Sequence, residues 1–252
     1  MQEKRRISPL SIMYSCYAFL WLFVFLLTIV PFAFVALCIQ SPLGINLFYR
    51  VSSFCARAWF FLVGMRFKEI HSGLRSAKEC GQGIYIANHS SYIDVMIMLA
   101  VMRWPYRPLG KAEMKKIPVF GFFYDKFVLT VNRDNGSSRL KSLMELNETV
   151  GKNLSVFIFP EGTFNESGAP LKEFYNGAFQ LALKNNLNLR PIAFLDSQER
   201  MHYSSFFLMR PGICRAVFLQ EITIKHYVHY RSSELKEIVF ERMKSTLLAY
   251  KQ

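Results

Sequence analysis

Charged residues are missing from a long stretch near the start of the sequence. No Asp, Glu, Lys or Arg occurs between Arg6 and Arg50, and the 28 residues 12–39 are almost unbroken apolar sequence. A cleavable signal sequence has an apolar core of about 7–15 residues, which excludes that interpretation here. As one straight helix this run would extend about 42 Å, more than the roughly 30 Å hydrocarbon core of a bilayer. We therefore expect a retained membrane segment.

Pro31 interrupts the apolar run, and its missing N–H is expected to kink or break a helix there. One arrangement is a single tilted span. The other is a pair of helices that turns back, with residues 41–65 as the second arm. Lys4, Arg5 and Arg6 put the amino terminus on the cytosolic side. A single span would place the remainder of the chain outside, so we favour the re-entrant or double-pass form, with a buried core helix as the alternative.

Acidic residues are scarce, and the cysteines form no motif. The sequence has 31 Lys+Arg against 18 Asp+Glu, a formal net charge of +13. This balance beside an apolar segment suits an anionic membrane, an anionic lipid or a phosphorylated carrier. No RNA-binding, zinc-finger or helix-turn-helix signature occurs, so no nucleic-acid partner is expected. The five cysteines include no C-x-x-C pair, and no carboxylate or cysteine cluster joins His226 and His229, so no metal site is predicted.

From Arg66 onward, short β-branched or aromatic runs alternate with helical stretches, the pattern of an α/β domain. The fold class expected is α/β, a central mixed sheet flanked by helices, with an N-terminal membrane-embedded helical hairpin. We expect residues 1–65 to form the membrane-anchoring helices and residues 66–252 a single domain. The predicted strands are 83–87, 127–131, 155–159, 190–195 and 214–219. The predicted helices are 91–102, 137–152, 176–185 and 233–250.

His89 lies where a buried strand meets the next predicted helix. Ser90 and Ser91 after it are residue types that cap helices. With His89 in the turn, Asp94 on the first turns of the helix can fold back onto the imidazole, fix its tautomer and raise the basicity of its other nitrogen. That nitrogen can take a proton from a hydroxyl. A helix-capping histidine followed by an acidic first turn explains the same spacing without chemistry.

A second polar turn, Pro160-Glu161-Gly162-Thr163, ends the apolar run 155–159. Proline and glycine together favour a sharp turn. Such a turn can present the Glu161 side chain and backbone N–H groups to a cleft. An ordinary strand-ending loop with a solvated glutamate is the simpler alternative.

Four short blocks follow one another across roughly residues 65–220. They are Asn88-His89-x-x-x-x-Asp94, then Lys111-x-Glu113-Met114-x-x-x-Pro118-x-x-Gly121 ending at Asn132-Arg133, then Phe159-Pro160-Glu161-Gly162-Thr163, and last Arg190-Pro191-Ile192-Ala193-Phe194. In order and approximate spacing these blocks resemble the glycerolipid acyltransferase family, the lysophosphatidic acid acyltransferases in particular.

The resemblance implies transfer of a fatty acyl group from a thioester to the free hydroxyl of a lysophospholipid, first of all 1-acyl-glycerol-3-phosphate, giving phosphatidic acid. His89 would remove the hydroxyl proton and Asp94 would orient the histidine. The donor would be acyl-CoA or acyl-carrier protein, with no cofactor. Residues 66–252 would be the catalytic domain, facing the cytoplasm at a membrane, the inner membrane in a bacterium.

The resemblance also assigns the acceptor site. Glu161, Gly162 and Thr163 would shape it. Arg133 with Lys111 would hold the acceptor phosphate, a role that suits the paired donors of a guanidinium group.

The sequence departs from the family pattern beside this site. The Pro-Glu-Gly-Thr block usually continues with Arg-Ser, whereas Phe164 and Asn165 follow it here. Either Lys172 or Lys111 supplies the missing charge, or the acceptor carries a different head group. The residues are also compatible with a non-catalytic membrane lipid-binding protein, or with a metal-dependent lipid hydrolase that uses the same histidine and aspartate.

Overall fold

Two long helices precede a mixed sheet in the computed structural model, which describes residues 7–39, 42–72, 81–117, 120–131 and 148–250. The strands in these residues are β1 (Met65–His71), β2 (Ile84–Ala87), β3 (Tyr106–Lys111), β4 (Leu129–Val131), β5 (Ser155–Ile158), β6 (Leu189–Phe194) and β7 (Gly212–Phe218). The helices are α1 (Pro9–Ile39), α2 (Pro42–Leu62), α3 (Asp94–Val101), α4 (Phe120–Phe127), α5 (Gly177–Asn185), α6 (Ser197–Arg200) and α7 (Ser232–Ala249). Short 3₁₀ turns occupy Ala112–Lys116 and Ile224–His226.

The strands form one sheet in the order β1-β7-β6-β2-β5-β3-β4. Neighbours from β6 to β4 are parallel, β7 is antiparallel to β6, and β1 is parallel to β7. The sheet is therefore mixed, as expected. The carboxyl ends of β6, β2, β5, β3 and β4 meet at one edge, the edge where parallel α/β sheets hold their ligands.

Helices cover both faces of the sheet. Tyr85 and Ala87 of β2 belong to the apolar cluster that includes residues of α2 and α3, whereas Ile84 and Ile86 belong to the cluster that includes residues of α5 and α7. Every residue of β2, β5 and β6 is buried. A strand covered on both faces is a nearly continuous apolar run, which is why these strands are visible in the sequence.

Strands β1 and β3 were not predicted from the sequence because their residues do not form apolar runs. Strand β1 lies at the sheet edge and mixes apolar with charged residues, and β3 contains Pro108 and Gly110. The strand predicted at 127–131 begins too early, since Phe127 ends α4 and stacks on Phe48 of α2 with ring centroids 4.1 Å apart. Phe127 is therefore apolar because it packs between helices and not because it belongs to a strand. The helix predicted at 137–152 lies outside the described residues except for 148–151, which are helical.

Helices α1 and α2 pack antiparallel. Tyr14 Oη donates to the Val63 carbonyl at 2.6 Å, and Trp59 Nε1 donates to the Ala18 carbonyl at 2.8 Å. Pro31 lies inside α1, which runs from Pro9 to Ile39 without interruption, so the predicted break at this residue does not occur. Among the described residues, Pro9–Cys38 is the one helix whose length and apolarity suffice to cross a membrane.

Candidate active site

His89 and Asp94 meet at the carboxyl end of β2. His89 lies in the turn after the strand, and Asp94 is the first residue of α3. The Nδ1 atom of His89 is 2.9 Å from Oδ2 of Asp94. Because an ionised carboxylate only accepts hydrogen bonds, the proton sits on Nδ1 and the lone pair of Nε2 is left for another donor. The His89 side chain is 18% exposed, so the ring remains within reach of a ligand.

The buried Asp94 carboxylate also organises the turn that carries His89. Its Oδ2 accepts the backbone N–H groups of Ser90 at 2.7 Å and Ser91 at 2.8 Å. These donors and the amino-terminal end of α3 offset the cost of removing the charge from water. Ile93 is the N-cap residue of α3 and carries no side-chain cap, but Ser91 Oγ accepts the Ile93 N–H at 3.2 Å in the turn before the helix. Ser91 therefore bonds the turn that leads into the helix, while the N–H groups of Ser90 and Ser91 bond the aspartate.

Two phenylalanine rings hold the imidazole. Phe159 stacks on the face of His89 with ring centroids 4.1 Å apart and an angle of 17° between the planes. Phe164 meets the same ring at 4.5 Å and 70°. The two rings together fix the orientation of the imidazole. The sequence contains no signal for the contact made by Phe164.

The segment 160–163 forms a tight turn after β5. The Gly162 N–H donates to the Phe159 carbonyl at 3.0 Å, which places Pro160 at the second position of the turn, where its fixed φ fits. Gly162 has a φ of 73°, a backbone region that other residues rarely adopt. The sharp turn predicted from the sequence is therefore present.

Glu161 joins the loop that carries His89 to the loop that carries Lys172. Its side chain is buried, and Oε1 accepts the His89 backbone N–H at 2.8 Å while Oε2 accepts the Lys172 backbone N–H at 2.9 Å. Burial raises the pKa of Glu161 to about 7, although the two backbone donors act in the opposite direction. The expected presentation of this side chain into a cleft is not observed; it positions the backbone of the histidine.

We expect Glu161 to make the protein less stable as the pH rises from 4.5 to about 7. A carboxyl whose pKa is raised in the folded state stabilises that state at low pH, and the contribution is lost as the pH rises through the folded-state pKa. The loss approaches about 3 kcal/mol by pH 8. Thermal unfolding of the wild type and Glu161→Gln in detergent at pH 5 and pH 8 measures it. The wild type should lose stability relative to the variant, and identical changes in both proteins would contradict the assignment.

Of the other predicted acceptor-site residues, Lys111 lies apart from this centre. Lys111 ends β3, is 72% exposed, and has its Nζ 3.5 Å from Oε1 of Glu113. Because β5 separates β3 from β2, Lys111 lies about 10 Å along the sheet from the histidine strand. Arg133 falls outside the described residues. Thr163 is exposed, and its Oγ1 accepts a hydrogen bond of 2.7 Å from Nζ of Lys172.

Two asparagines, to which the sequence pattern assigned no role, fix the segment around His89. The Asn88 side chain accepts the Phe194 N–H at 2.7 Å and donates to the Phe194 carbonyl at 2.9 Å, which extends the pairing of β2 with β6 by one side chain. The Asn165 N–H donates to the His89 carbonyl at 2.8 Å. Since Glu161 accepts the His89 N–H, both backbone groups of His89 are hydrogen-bonded. The position of Asn88 directly before His89 was the available signal.

Comparison with known proteins gives consistent results. Residues 70–195 match the family model described as Acyltransferase. The chain is 30% identical over 155 residues to human 1-acyl-sn-glycerol-3-phosphate acyltransferase beta, covering 60% of this chain and 52% of that protein. It is 30% identical over 140 residues to the chloroplastic 1-acyl-sn-glycerol-3-phosphate acyltransferase BAT2 of Brassica napus, covering 55% and 40%. The Escherichia coli 1-acyl-sn-glycerol-3-phosphate acyltransferase is 26% identical over 153 residues, covering 60% and 61%. The alignments thus span less than two thirds of each relative.

The fold is similar to the crystal structure of the 1-acyl-sn-glycerophosphate (LPA) acyltransferase PlsC from Thermotoga maritima. The TM-score is 0.77, with 16% identity and 96% of both chains covered. This likeness shows a shared architecture. The family match takes in half of the 252 residues, including the His89–Asp94 pair and the turn at 160–163. The chain therefore belongs to the Acyltransferase family.

Proposed function

We propose that this protein transfers a fatty acyl group from an acyl thioester to the free hydroxyl of 1-acyl-glycerol-3-phosphate, giving phosphatidic acid. The observation that carries the proposal is the 2.9 Å contact between His89 Nδ1 and Asp94 Oδ2, which leaves Nε2 as a base at the ligand edge of the sheet. Family membership and the names of the relatives support the reaction and the acceptor. Acyl-CoA and acyl-carrier protein are both donors to be tested.

In the proposed reaction, Nε2 of His89 accepts the proton of the acceptor hydroxyl as the hydroxyl oxygen attacks the thioester carbonyl carbon. The new C–O bond forms, the C–S bond breaks, and the imidazolium returns the proton to the departing thiolate. Asp94 keeps Nδ1 protonated and stabilises the imidazolium. Glu161 and Asn165 hold the backbone of His89 during this exchange.

The reaction is tested with purified protein in micelles, several lysolipids that differ in head group, and labelled acyl-CoA or acyl-carrier protein. Labelled phosphatidic acid is the expected product, and full activity in EDTA excludes the metal-dependent hydrolase. A product with another head group would replace the acceptor proposed here. Binding of lysolipid without any ester product would favour a lipid-binding protein without catalysis.

We further propose that residues 1–65 attach the catalytic domain, residues 66–252, to the cytoplasmic face of a membrane without crossing it. Helix α1 contacts the domain near both of its ends. Ser15 Oγ accepts the Met209 N–H at 3.3 Å, and the ring of Phe34 lies 6.5 Å from that of Phe122. The 19-residue separation of Ser15 and Phe34 corresponds to about 28 Å of helix, nearly the roughly 30 Å hydrocarbon core. Because α1 contacts the domain at both ends of that length, a position within one leaflet fits the helix better than a path across the membrane.

Labelling of Cys38 distinguishes the arrangements. Cys38 lies near the end of α1 and is exposed on the protein surface. In a variant that keeps Cys38 as its one cysteine, a membrane-impermeant maleimide added outside sealed vesicles that enclose the catalytic domain should not react, because a helix that stays in one leaflet does not reach the opposite surface. Reaction from outside before the membrane is dissolved would show a span and overturn the one-sided attachment. Labelling after detergent addition is the positive control.

A further inference from the structure

We propose that Lys172 and Thr163 form the subsite that receives the phosphate of the acceptor. The inference rests on the function proposed above and adds the group that recognises the anion. The Nζ atom of Lys172 donates to Oγ1 of Thr163 at 2.7 Å. That bond uses a lone pair of the hydroxyl and leaves its O–H free to donate. The pair therefore presents an ammonium and a hydroxyl as neighbouring donors, the chemistry that a phosphate monoester requires.

The ammonium of Lys172 is available to a ligand. The side chain is exposed, and no carboxylate of the described residues lies within 4.0 Å of its Nζ. Lys111 differs in this respect, since its Nζ is 3.5 Å from Glu113. An incoming phosphate can therefore bind the ammonium of Lys172 without first displacing one of these carboxylates.

Two independent contacts place this pair beside His89. The Glu161 carboxylate bonds the backbone N–H of Lys172 at 2.9 Å and that of His89 at 2.8 Å. Phe164, the residue after Thr163, packs edge-on against the His89 ring at 4.5 Å. The loop that carries the donors is thus fixed to the loop that carries the imidazole.

The acceptor itself demands this proximity. In 1-acyl-glycerol-3-phosphate, two carbons and one oxygen separate the reacting hydroxyl oxygen from the phosphorus. The phosphorus is thus a few covalent bonds from the hydroxyl oxygen. When that hydroxyl approaches Nε2 of His89, the phosphate must therefore lie close to the ring. Lys111 is about two strand spacings away, roughly 10 Å. Phe164 occupies the position next to Thr163 with an apolar ring, so a lysine from the segment before α5 supplies the charge.

The test is direct binding, which does not depend on turnover. Equilibrium dissociation constants are measured in micelles for labelled 1-acyl-2-deoxyglycerol-3-phosphate, which lacks the reacting hydroxyl, and for its uncharged counterpart without phosphate. The proteins are the wild type, Lys172→Met, Lys172→Arg and Lys184→Met, the last a matched lysine on α5. Lys172→Met should weaken binding of the phosphate analogue about tenfold or more, since a charge-assisted bond is lost. Binding of the uncharged analogue should not change, and Lys172→Arg and Lys184→Met should bind both like the wild type.

Wild-type affinity of Lys172→Met for the phosphate analogue would overturn the inference. Equal weakening for both analogues would also overturn it, because that pattern indicates a structural role for the lysine. Failure of the proposed function looks different: the wild type would form no ester from any lysolipid and thioester, whatever the binding constants show.

Discussion

Replacing His89 by alanine is expected to lower kcat for acyl transfer by about 10²- to 10⁴-fold, the range that a general base supplies. Alanine removes the nitrogen that takes the hydroxyl proton. It leaves the backbone N–H and carbonyl that Glu161 and Asn165 bind. The loop should therefore keep its course, and membrane association should not change. The measurement is the initial rate of labelled lipid product at saturating acceptor and thioester.

His229→Ala is the matched control for this experiment. His229 is an exposed histidine in the segment between β7 and α7, and its removal should leave the rate at the wild-type value. If His89→Ala also kept a rate close to wild type, a group other than His89 would have to accept the proton.

Asp94→Asn is expected to lower kcat by about 10²-fold or more while the local geometry survives. Oδ2 of Asp94 accepts hydrogen bonds from the His89 ring and from the N–H groups of Ser90 and Ser91. An amide NH₂ placed there would face three donors, so the amide oxygen takes that position. Nδ1 then stays protonated, and the variant removes mainly the negative charge that stabilises the imidazolium.

The control for Asp94→Asn is another buried carboxylate. Asp196 is 5% exposed and accepts hydrogen bonds from the Arg215 guanidinium at 2.7 Å and 2.9 Å. Asp196→Asn should lower the unfolding temperature without lowering kcat of the folded fraction. An Asp94→Asn variant that lost only stability in the same way would contradict the role of its charge.

The sequence predicted those parts of the fold that depend on local pattern. β2, β5 and β6 are mostly apolar, with Ser155 and Arg190 as the exceptions, because both faces of the sheet are covered, and such runs are visible without a structure. The contact between His89 and Asp94 was predictable for a related reason, since both residues belong to one strand-to-helix junction.

Contacts between distant segments were harder to predict. The backbone of Lys172 lies near that of His89 because Glu161 bonds both, and the burial of that carboxylate is a property of the assembled loops. The packing of Phe164 on His89 likewise joins residues from different loops. The resemblance indicated a cation at position 164, where this chain has phenylalanine, whereas the tertiary structure places Lys172 nearby.

The central claim is that a carboxylate holds His89 with its proton on Nδ1 and its Nε2 free. Nitrogen NMR of protein labelled at the histidine ring tests this most directly, with the His89 signals identified by their loss in His89→Gln. We expect a protonated Nδ1 and an unprotonated Nε2 at a pH where the ring is neutral. A proton on Nε2, or equal populations of the two tautomers, would contradict it.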